Sequence, residues 1–261
     1  MPGILKEKIL QVERIAPVIF KMTIASEYMA SNALPGQFVN IRCSDGVNAL
    51  LRRPISICNV DRTKNTFDIV FQIRGTGTEL LSRMQPGESA DLLGPLGNSF
   101  DLDAKYSRIA VVGGGIGIFP LLFLLNQSKA KVKKGYLGFR SSDFIVLAEE
   151  FRKASDGLLL STDDGSAGYH GLVTDMLARD LENNTLDMLY SCGPTPMIKQ
   201  VIKLADQYGI PCQVSMEQRM GCGIGACLVC ACKTRYGDDW EYSHICKDGP
   251  IYRSSDLIFD E

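Results

Sequence analysis

Short apolar, β-rich runs separated by polar turn signals make up the first hundred residues. They are KILQVERI, VIFKMTIA, QFVNIRC, PISICNV and TFDIVFQIR. The polar segment DRTKN joins the last two runs as a hairpin, and TELLSRM then forms a short helical stretch. This pattern predicts a small antiparallel β-barrel, to which we assign residues 1–102.

From residue 107 the rhythm changes to an apolar strand, a turn and a helical stretch, repeated several times. The successive runs are IAVV, FPLLFLLNQ, KGYLGF, FIVLAEEFRKA, GLLLST, LVTDMLARDL, DMLYSC and MIKQVIKLADQYG. Alternation of this kind predicts a parallel sheet covered by helices, which we place at residues 103–215. Residues 216–261 are too short for a core of their own without a staple, so we treat them as a small third domain. The predicted fold class is multidomain β and α/β.

The composition is that of an ordinary folded protein, with 45% hydrophobic and 22% charged residues among 261. A net charge of -2 and a pI near 5.8 give no basic surface for phosphates, which disfavours binding to nucleic acid. The longest apolar stretch, residues 116–125, is about half the ~20 residues of a membrane span, so it predicts a buried helix. The N-terminal residues have scattered charges, unlike a signal peptide, and we expect a cytoplasmic protein.

Four of the nine cysteines have the spacing of a metal site. Within GCGIGACLVC, Cys222, Cys227 and Cys230 are spaced C-x4-C-x2-C, and Cys246 follows as a distant fourth. Structural zinc sites usually repeat C-x2-C, whereas this spacing is typical of plant-type [2Fe–2S] clusters. The glycines and alanine between the cysteines leave room for backbone N–H groups to approach the sulfurs. A zinc knuckle or unmetallated buried thiols is the alternative.

The remaining cysteines do not fit a ligand position. Cys232 lies two residues past Cys230, and the other four are dispersed as core cysteines usually are. These four are Cys43, Cys58, Cys192 and Cys212. His244 precedes Cys246 by two residues, but a Rieske centre would need two histidines in Cys–His pairs, so we interpret His244 as a bystander.

Glycine-rich turns follow three of the predicted parallel strands. The first contains Gly113, Gly114, Gly115 and Gly117, where backbone amides and a helix N-terminus could hold a pyrophosphate. It is not a strict G-x-G-x-x-G motif, because Ile118 occupies the third glycine position. A tight turn without a ligand is the alternative.

The other two turns are STDDGS (161–166) and SCGPTPM (191–197). Because ligands of parallel sheets bind at the carboxyl ends of strands, all three turns could converge on one nucleotide. The second and third turns contribute Asp163, Asp164, Cys192, Gly193 and Pro194. Carboxylates facing the ribose would repel a 2′-phosphate and favour NAD over NADP, although a solvated turn explains the two aspartates equally well.

Two loops of the predicted barrel have the composition of phosphate-binding segments. Arg52 and Arg53 enter a strand in the segment R-P-I-S, which continues with Pro54, Ile55 and Ser56. A glycine-threonine turn opens the helical stretch and consists of Gly75, Thr76, Gly77 and Thr78. Arginines pair with phosphate, and a helix start can cradle an anion. A surface arginine pair and a simple glycine turn are the alternatives.

Taken together, RPIS, GTGT, GGGIG-x-x-P, DDG, CGP and the terminal cysteines resemble the ferredoxin-NADP reductase superfamily. With the cysteines appended, the whole chain most resembles the electron-transfer subunits of NAD-dependent (class B) dihydroorotate dehydrogenases. The resemblance implies FAD on the barrel, with Arg53 and Ser56 near phosphate and flavin ring and residues 75–78 on the pyrophosphate. It also implies a nicotinamide nucleotide on the α/β domain and [2Fe–2S] on the four cysteines. Many members have tyrosine where Ile55 stands.

The chemistry of the three cofactors fits this resemblance. A nicotinamide exchanges two electrons as hydride and an iron–sulfur cluster exchanges one, so a chain with both needs a flavin between them. The two histidines have no evident catalytic companions, and we therefore assign no catalytic residue for a carbon substrate. The substrate chemistry is expected on a partner chain.

In the enzymes that the chain resembles, the partner is an FMN-containing TIM-barrel subunit that oxidises dihydroorotate, and the assembly is a heterotetramer. The implied electron path runs from dihydroorotate through FMN, the cluster and FAD to NAD+, in pyrimidine biosynthesis. Two alternatives stay open from the sequence. One is the flavin subunit of a cytosolic hydrogenase, a sulfhydrogenase or a ferredoxin:NADP oxidoreductase, and the other is a zinc-binding regulatory protein.

Overall fold

Six strands close into an antiparallel barrel in the first part of the chain. A computed structural model describes residues 3–44, 46 and 49–259. The strands are β1 (Gly3–Ala16), β2 (Ile19–Ala25), β3 (Phe38–Ile41), β4 (Arg53–Asp61), β5 (Thr66–Gln72) and β6 (Ser89–Leu96). Their order around the barrel is β1-β2-β5-β4-β3-β6, which confirms the predicted barrel. Inward side chains such as Ile9, Met22 and Ile69 form its apolar core.

Strand β6 lies outside the runs that the sequence predicts. Its residues SADLLGPL include Gly94 and Pro95, which interrupt the apolar run that signals a strand. Two short helices complete the barrel, α1 (Glu27–Asn32) and α2 (Thr76–Ser82). The second overlaps the helical stretch expected from TELLSRM (78–84) and begins two residues earlier.

A seven-stranded sheet forms the second part of the molecule. Its strands are β7 (Arg108–Gly114), β8 (Val132–Phe139), β9 (Gly157–Thr162), β10 (Tyr169–His170), β11 (Met188–Cys192), β12 (Cys212–Ser215) and β15 (Ile251–Arg253). They lie in the order β10-β9-β8-β7-β11-β12-β15, and every neighbouring pair is parallel except β12 and β15. The predicted parallel sheet is therefore confirmed, with one antiparallel edge strand added to it.

Helices connect the strands of this sheet. They are α3 (Phe119–Gln127), α4 (Ala148–Ala154), α5 (Val173–Leu181) and α6 (Thr195–Gln207). Seven consecutive residues of α3, from Phe119 to Leu125, are buried, which explains why its sequence is apolar all round. Among the described residues, no helix combines the length and the apolar character needed to cross a membrane.

The segment after β12 packs against both preceding parts. It contains a hairpin of β13 (Ala231–Tyr236) and β14 (Asp239–His244), and it ends in β15 at the edge of the large sheet. Cys230, Ile245 and Cys246 belong to one buried cluster with Phe38 of the barrel and Val214 of the sheet. A metal is therefore not the sole support of this segment, because it shares an apolar core with its neighbours. The boundaries at residues 102 and 215 remain predictions.

Asn98 joins the barrel to the same segment. Its Nδ2 donates to the carbonyl oxygens of Asp248 (3.0 Å) and Ile251 (2.8 Å), and its Oδ1 accepts from the Ile251 N–H (2.9 Å). The loop after β6 is thereby fixed to the start of β15.

Candidate functional site

A continuous groove runs between the barrel and the carboxyl ends of the sheet strands. Its middle part, the central cleft, has a volume of about 540 Å³ and is lined by Arg74 from the barrel and by Gly115 and Pro194 from the sheet. A barrel pocket of about 210 Å³ shares Arg74 with it, and an outer pocket of about 520 Å³ shares Gly115 and Pro194. The predicted flavin-binding and nucleotide-binding loops therefore meet along one groove.

The barrel pocket contains the whole predicted R-P-I-S segment. Arg53, Pro54, Ile55 and Ser56 all line it from β4. Ile55 presents an aliphatic side chain, so this position supplies no aromatic ring to cover the groove.

The glycine-threonine turn lies directly beside this pocket. Thr76 is the first residue of α2, and Gly75 precedes it as the cap residue. The Thr78 hydroxyl accepts hydrogen bonds from the N–H groups of Arg74 (2.8 Å) and Gly75 (3.3 Å). Thr78 thus shapes the turn, while Gly75 and Thr76 are exposed and available to a ligand.

Arg53 and Gly77 bring the two barrel loops into contact. A Cβ atom on Gly77 would lie 2.6 Å from Nε of Arg53, so the guanidinium packs directly on Gly77 and would have to move if this residue carried a side chain. The structure therefore places a cation over the exposed start of a helix, which is the arrangement that a pyrophosphate needs. The residues present fit the diphosphate of an FAD.

On the sheet side, the first glycine turn packs against the third. Gly113 and Gly114 end β7, and Gly115 begins the 3₁₀ turn that leads into α3. A Cβ on Gly117 would lie 2.5 Å from the carbonyl oxygen of Cys192. Position 117 therefore needs a glycine so that the turn after β7 can pack against the end of β11.

The third turn contributes backbone to the groove. A Cβ on Gly193, whose φ is +155°, would lie 2.9 Å from the Gly114 N–H nitrogen, and Pro194 lines the central cleft beside them. The Cys192 side chain is 2% exposed, and burial raises the pKa of its thiol. Cys192 thus belongs to the core, and only its backbone lies next to the glycine turn.

The second turn separates its two aspartates. Asp163 lines the outer pocket. The Asp164 carboxylate instead accepts hydrogen bonds from the hydroxyl (2.6 Å) and the N–H (2.9 Å) of Ser166, which hold its pKa below the usual value. Asp164 is therefore engaged within its own turn, and Asp163 is the carboxylate that a nucleotide would meet.

Like Arg74, two further charged residues of the groove were missed by sequence reasoning. Arg140 follows β8 and borders both the central cleft and the outer pocket. Its position directly after a parallel strand was the available signal. Glu217 borders both the central cleft and the barrel pocket, but no motif surrounds it.

The Glu217 carboxyl titrates above its ordinary range. Partial desolvation by the walls of the groove raises its pKa, and the Arg74 guanidinium opposes this effect. The side chain still reaches solvent through the open groove. A carboxyl with a raised pKa therefore lies where the barrel pocket joins the central cleft.

The four predicted ligand cysteines come together as two pairs. Sγ of Cys230 and Sγ of Cys246 are 3.3 Å apart. Cys222 and Cys227 are linked reciprocally, because the N–H of each donates to the sulfur of the other at 3.3 Å. Within the described residues, no three His, Cys, Asp or Glu side chains are grouped so that they could hold one metal ion. Two thiolate pairs fit a cluster that contains two irons.

Backbone amides surround the first pair. The N–H groups of Ile224 (3.4 Å) and Ala226 (3.2 Å) donate to Cys222 Sγ. Burial raises the pKa of this thiol, but hydrogen bonds from Ile224 and Cys227 outweigh it and lower the pKa to about 6. A thiolate is the form that binds metal. The loop therefore favours the metal-binding form of Cys222.

The second pair is buried, and its chemistry differs. Cys230 and Cys246 are 1% and 3% exposed. Burial and the neighbouring Cys230 thiol raise the pKa of Cys246 to about 12, and the Gly225 N–H donates to its sulfur at 3.1 Å. Metal binding at Cys246 therefore has to displace a proton.

The remaining cysteines and His244 lie outside the two pairs. Cys232 is half-buried on β13, and burial raises the pKa of its thiol. His244 donates its backbone N–H to Asp248 at 2.8 Å. Four further cysteines are buried as core residues, namely Cys43, Cys58, Cys192 and Cys212.

Two family models match the chain. Residues 7–100 match the oxidoreductase FAD-binding domain, and residues 217–258 match the iron-sulfur cluster binding domain of dihydroorotate dehydrogenase B. The predicted FAD-binding and iron–sulfur domains are thereby confirmed.

A solved structure is similar over nearly the whole chain. It is that of the NADH-dependent reduced ferredoxin-NADP oxidoreductase, which superposes with a TM-score of 0.85 at 30% identity and covers 99% of this chain and 91% of its own. The ferredoxin NADP+ reductase from Neisseria gonorrhoeae shares the fold, with a TM-score of 0.65 at 18% identity over 82% of this chain and 93% of its own.

Curated relatives are similar over their full length. One is the electron transfer subunit of dihydroorotate dehydrogenase B (NAD(+)) from Desulforamulus reducens, which is 37% identical over 100% of both chains. The corresponding subunit from Fusobacterium nucleatum is 41% identical over 94% of both chains. This chain therefore belongs to the family of dihydroorotate dehydrogenase B electron transfer subunits.

Proposed function

We propose that this chain carries electrons between a partner subunit that oxidises dihydroorotate and NAD+, by way of an iron–sulfur cluster and FAD. The observation that carries the proposal is the groove in which the barrel loops and the sheet loops meet, in a chain that also brings four cysteines together as two pairs. A two-electron carrier and a one-electron carrier need a flavin between them, and the groove offers that place.

Each part of the groove has a role in this proposal. Arg53 and residues 75–78 hold the FAD diphosphate, while Ile55 and Ser56 border the flavin. The glycine turn at 113–117 and Gly193–Pro194 hold the nicotinamide nucleotide, and Asp163 receives its ribose. When bound, the flavin exchanges electrons in pairs with the nicotinamide and singly with the cluster.

The cluster is proposed to be [2Fe–2S], held by Cys222, Cys227, Cys230 and Cys246. In the first pair Cys227 is exposed, while Cys230 and Cys246 of the second pair are buried. Electrons would therefore enter from the side of Cys227 and leave toward the barrel.

Exposed apolar side chains lie close to Cys227 in the sequence and support a partner surface there. Ile224 is 54% exposed, and Leu228 and Val229 are each 59% exposed. Adjacent exposed apolar residues of this kind mark protein interaction sites. We propose that an FMN-containing catalytic subunit covers them, in an assembly with two copies of each chain, and that the complex acts in the cytoplasm.

A second candidate function follows from the similarity to the NADH-dependent reduced ferredoxin-NADP oxidoreductase. In that case the chain would serve a different partner with the same groove. The two candidates differ in the companion chain and in the substrate that supplies electrons.

The test is to purify the chain with its native companion and to identify that companion by mass spectrometry. We expect a dihydroorotate-oxidising subunit, reduction of NAD+ by dihydroorotate, and FAD and iron in the complex. A companion that transfers electrons to ferredoxin, without dihydroorotate-dependent NAD+ reduction, would establish the second candidate. Stoichiometric zinc without iron would contradict both.

A further inference from the structure

The cluster segment, which comprises residues 216–259, packs against strand β3 of the barrel. The residues of β3 alternate, so that Val39 and Ile41 enter the barrel core while Phe38 and Asn40 face outward. Phe38 belongs to the same buried cluster as the cysteine pair. Asn40 is 1% exposed, so its carboxamide is buried at the boundary between barrel and cluster segment.

The Asn40 carboxamide contacts the first cluster loop directly. Nδ2 donates to the carbonyl oxygen of Cys222 at 3.2 Å, across 182 positions of sequence. Gly223, with φ of +76°, lies so close that a Cβ there would be 2.4 Å from Asn40 Nδ2. The loop therefore packs directly against this side chain.

The backbone of Asn40 is joined to the flavin side of the barrel. Asn40 pairs with Pro54 in the register of β3 and β4, and Arg52 donates to the Asn40 carbonyl oxygen at 3.4 Å. Pro54 lines the barrel pocket. One residue thus connects the segment proposed to border the flavin with a proposed cluster ligand.

Packing alone does not explain this carboxamide. Asn40 Oδ1 is buried and finds no hydrogen-bond partner among the described residues. A buried acceptor left unpaired costs free energy, and an apolar residue of similar shape would avoid that cost. The feature that an apolar residue cannot supply is the donor that holds Cys222.

We propose that Asn40 is a positioning residue for electron transfer, which fixes the Cys222–Gly223 loop on β3 and β4 and thereby sets the gap between flavin and cluster. This inference rests on the proposed function. When bound, the flavin would take two electrons from NADH as hydride and pass them one at a time to the cluster. The rate of that last transfer falls steeply as the gap widens, so it depends on Asn40.

The experiment uses the complete chain with both cofactors, and compares wild type with Asn40→Leu and Asn40→Asp. Both variants keep the branched shape of the side chain; Asn40→Leu removes the donor to Cys222, and Asn40→Asp removes it in the ionised form, so the assays are run at alkaline pH. Asn98→Leu is the matched control, because Asn98 also joins the barrel to the cluster segment but contacts Asp248 and Ile251. Iron and flavin contents are measured first, and absence of either from the wild type would reject the proposed function itself.

Stopped-flow absorbance then follows cluster reduction by NADH, normalised to dye reduction, which bypasses the cluster. We expect both Asn40 variants to slow cluster reduction about tenfold or more and to alter the EPR spectrum of the reduced cluster, while Asn98→Leu changes neither. Equal slowing in Asn98→Leu, or unchanged rate and EPR spectrum in both Asn40 variants, would overturn the inference. So would loss of iron from both Asn40 variants with iron retained in Asn98→Leu, because Asn40 would then serve cluster assembly.

Discussion

At the scale of single residues, Cys222 belongs to one of the two cysteine pairs, whereas Cys232 belongs to neither. Cys222→Ser removes one of the four proposed ligands, and we expect loss of the cluster with FAD retained, because the barrel buries its own core. NADH-dependent dye reduction should survive while transfer to the partner fails. Iron analysis and both assays check this expectation. Cys232→Ser is the control and should keep iron and both activities; loss of iron from this variant alone would reverse the ligand assignment.

The two aspartates after β9 differ in what their carboxylates contact. Asp163 lines the outer pocket, whereas Asp164 is bound by Ser166. We expect Asp163→Ala to lower the preference for NADH over NADPH by about tenfold, because a charge facing the 2′-phosphate is removed. Asp164→Ala should leave the kcat/KM ratio near that of wild type. Equal ratios for the wild type and Asp163→Ala would contradict this assignment.

Glu217 predicts a pH dependence of stability. Its pKa is raised in the folded state, so folding favours the protonated carboxyl, and wild type loses stability as the pH rises above the unfolded value of about 4.3. Glu217→Gln lacks this titration and should be the more stable protein at pH 7, by a modest amount because the side chain reaches solvent. The difference should vanish below about pH 4.3.

Urea denaturation of both apo proteins at several pH values measures this effect. Arg74→Gln is the companion variant, since removal of the opposing cation should enlarge the destabilisation at neutral pH. A difference between wild type and Glu217→Gln that is constant over pH would show that packing, not titration, causes it.

Residues with a motif could be predicted from the sequence, and residues without one could not. The cysteine spacing, the glycine turns and the R-P-I-S segment carry local patterns, and the structure brings each set to one groove or one loop. Glu217 and Asn40 have no such pattern. They acquire their positions from contacts across long stretches of sequence, such as the bond from Asn40 to Cys222.

At the scale of elements, the glycine turn after β7 predicts a steric effect. A Cβ on Gly117 would lie 2.5 Å from the Cys192 carbonyl oxygen. Gly117→Ala should therefore push the turn after β7 away from the end of β11. We expect a loss of about 1–3 kcal/mol of stability, together with weaker NADH binding. Thermal unfolding and NADH titration measure the two effects.

Gly157→Ala is the matched control for this substitution. Gly157 begins β9, and nothing lies within 4 Å of a Cβ placed there. We expect its unfolding free energy to stay within about 0.5 kcal/mol of wild type. Similar losses in the two variants would show that the contact with Cys192 is not the cause.

The elements that sequence reasoning missed are those with weak local signals. Strand β6 contains Gly94 and Pro95, and β15 is three residues long. Their pairing partners lie far away in sequence, so only the closed barrel and the completed sheet reveal them. The apolar helix α3 and the alternation of strand and helix were predictable. A sheet that is covered on both faces needs continuous apolar strands and apolar helix faces, and these are visible as local patterns in the sequence.

At the scale of the whole molecule, the cluster loop predicts where the partner binds. Leu228 is exposed and has a φ of +59°, a conformation that asparagine adopts more readily than leucine. Leu228→Asn should therefore keep the loop and its iron while weakening the partner complex about tenfold, through lost apolar contact. Leu34→Asn changes another exposed leucine, which lies on the barrel, and should leave partner affinity unchanged.

Analytical ultracentrifugation of each variant with the catalytic subunit measures the affinity, and iron analysis verifies the loop. Undiminished affinity in Leu228→Asn would place the partner elsewhere on the chain. Equal weakening by Leu34→Asn would indicate a general effect of removing surface leucines.

Strand β15 has a consequence for how this architecture can be shortened. Because β15 pairs with β12, the cluster segment is a loop anchored at both ends within the sheet, and not an appendage. A chain that stopped after β12 would leave unpaired those backbone N–H and C=O groups that β12 directs toward β15. Such a truncated chain would expose an unpaired strand edge, which could pair with the same edge of another copy and cause aggregation. Removing the cluster by deletion therefore requires a replacement strand, whereas removing it by substitution at Cys222 leaves the edge covered.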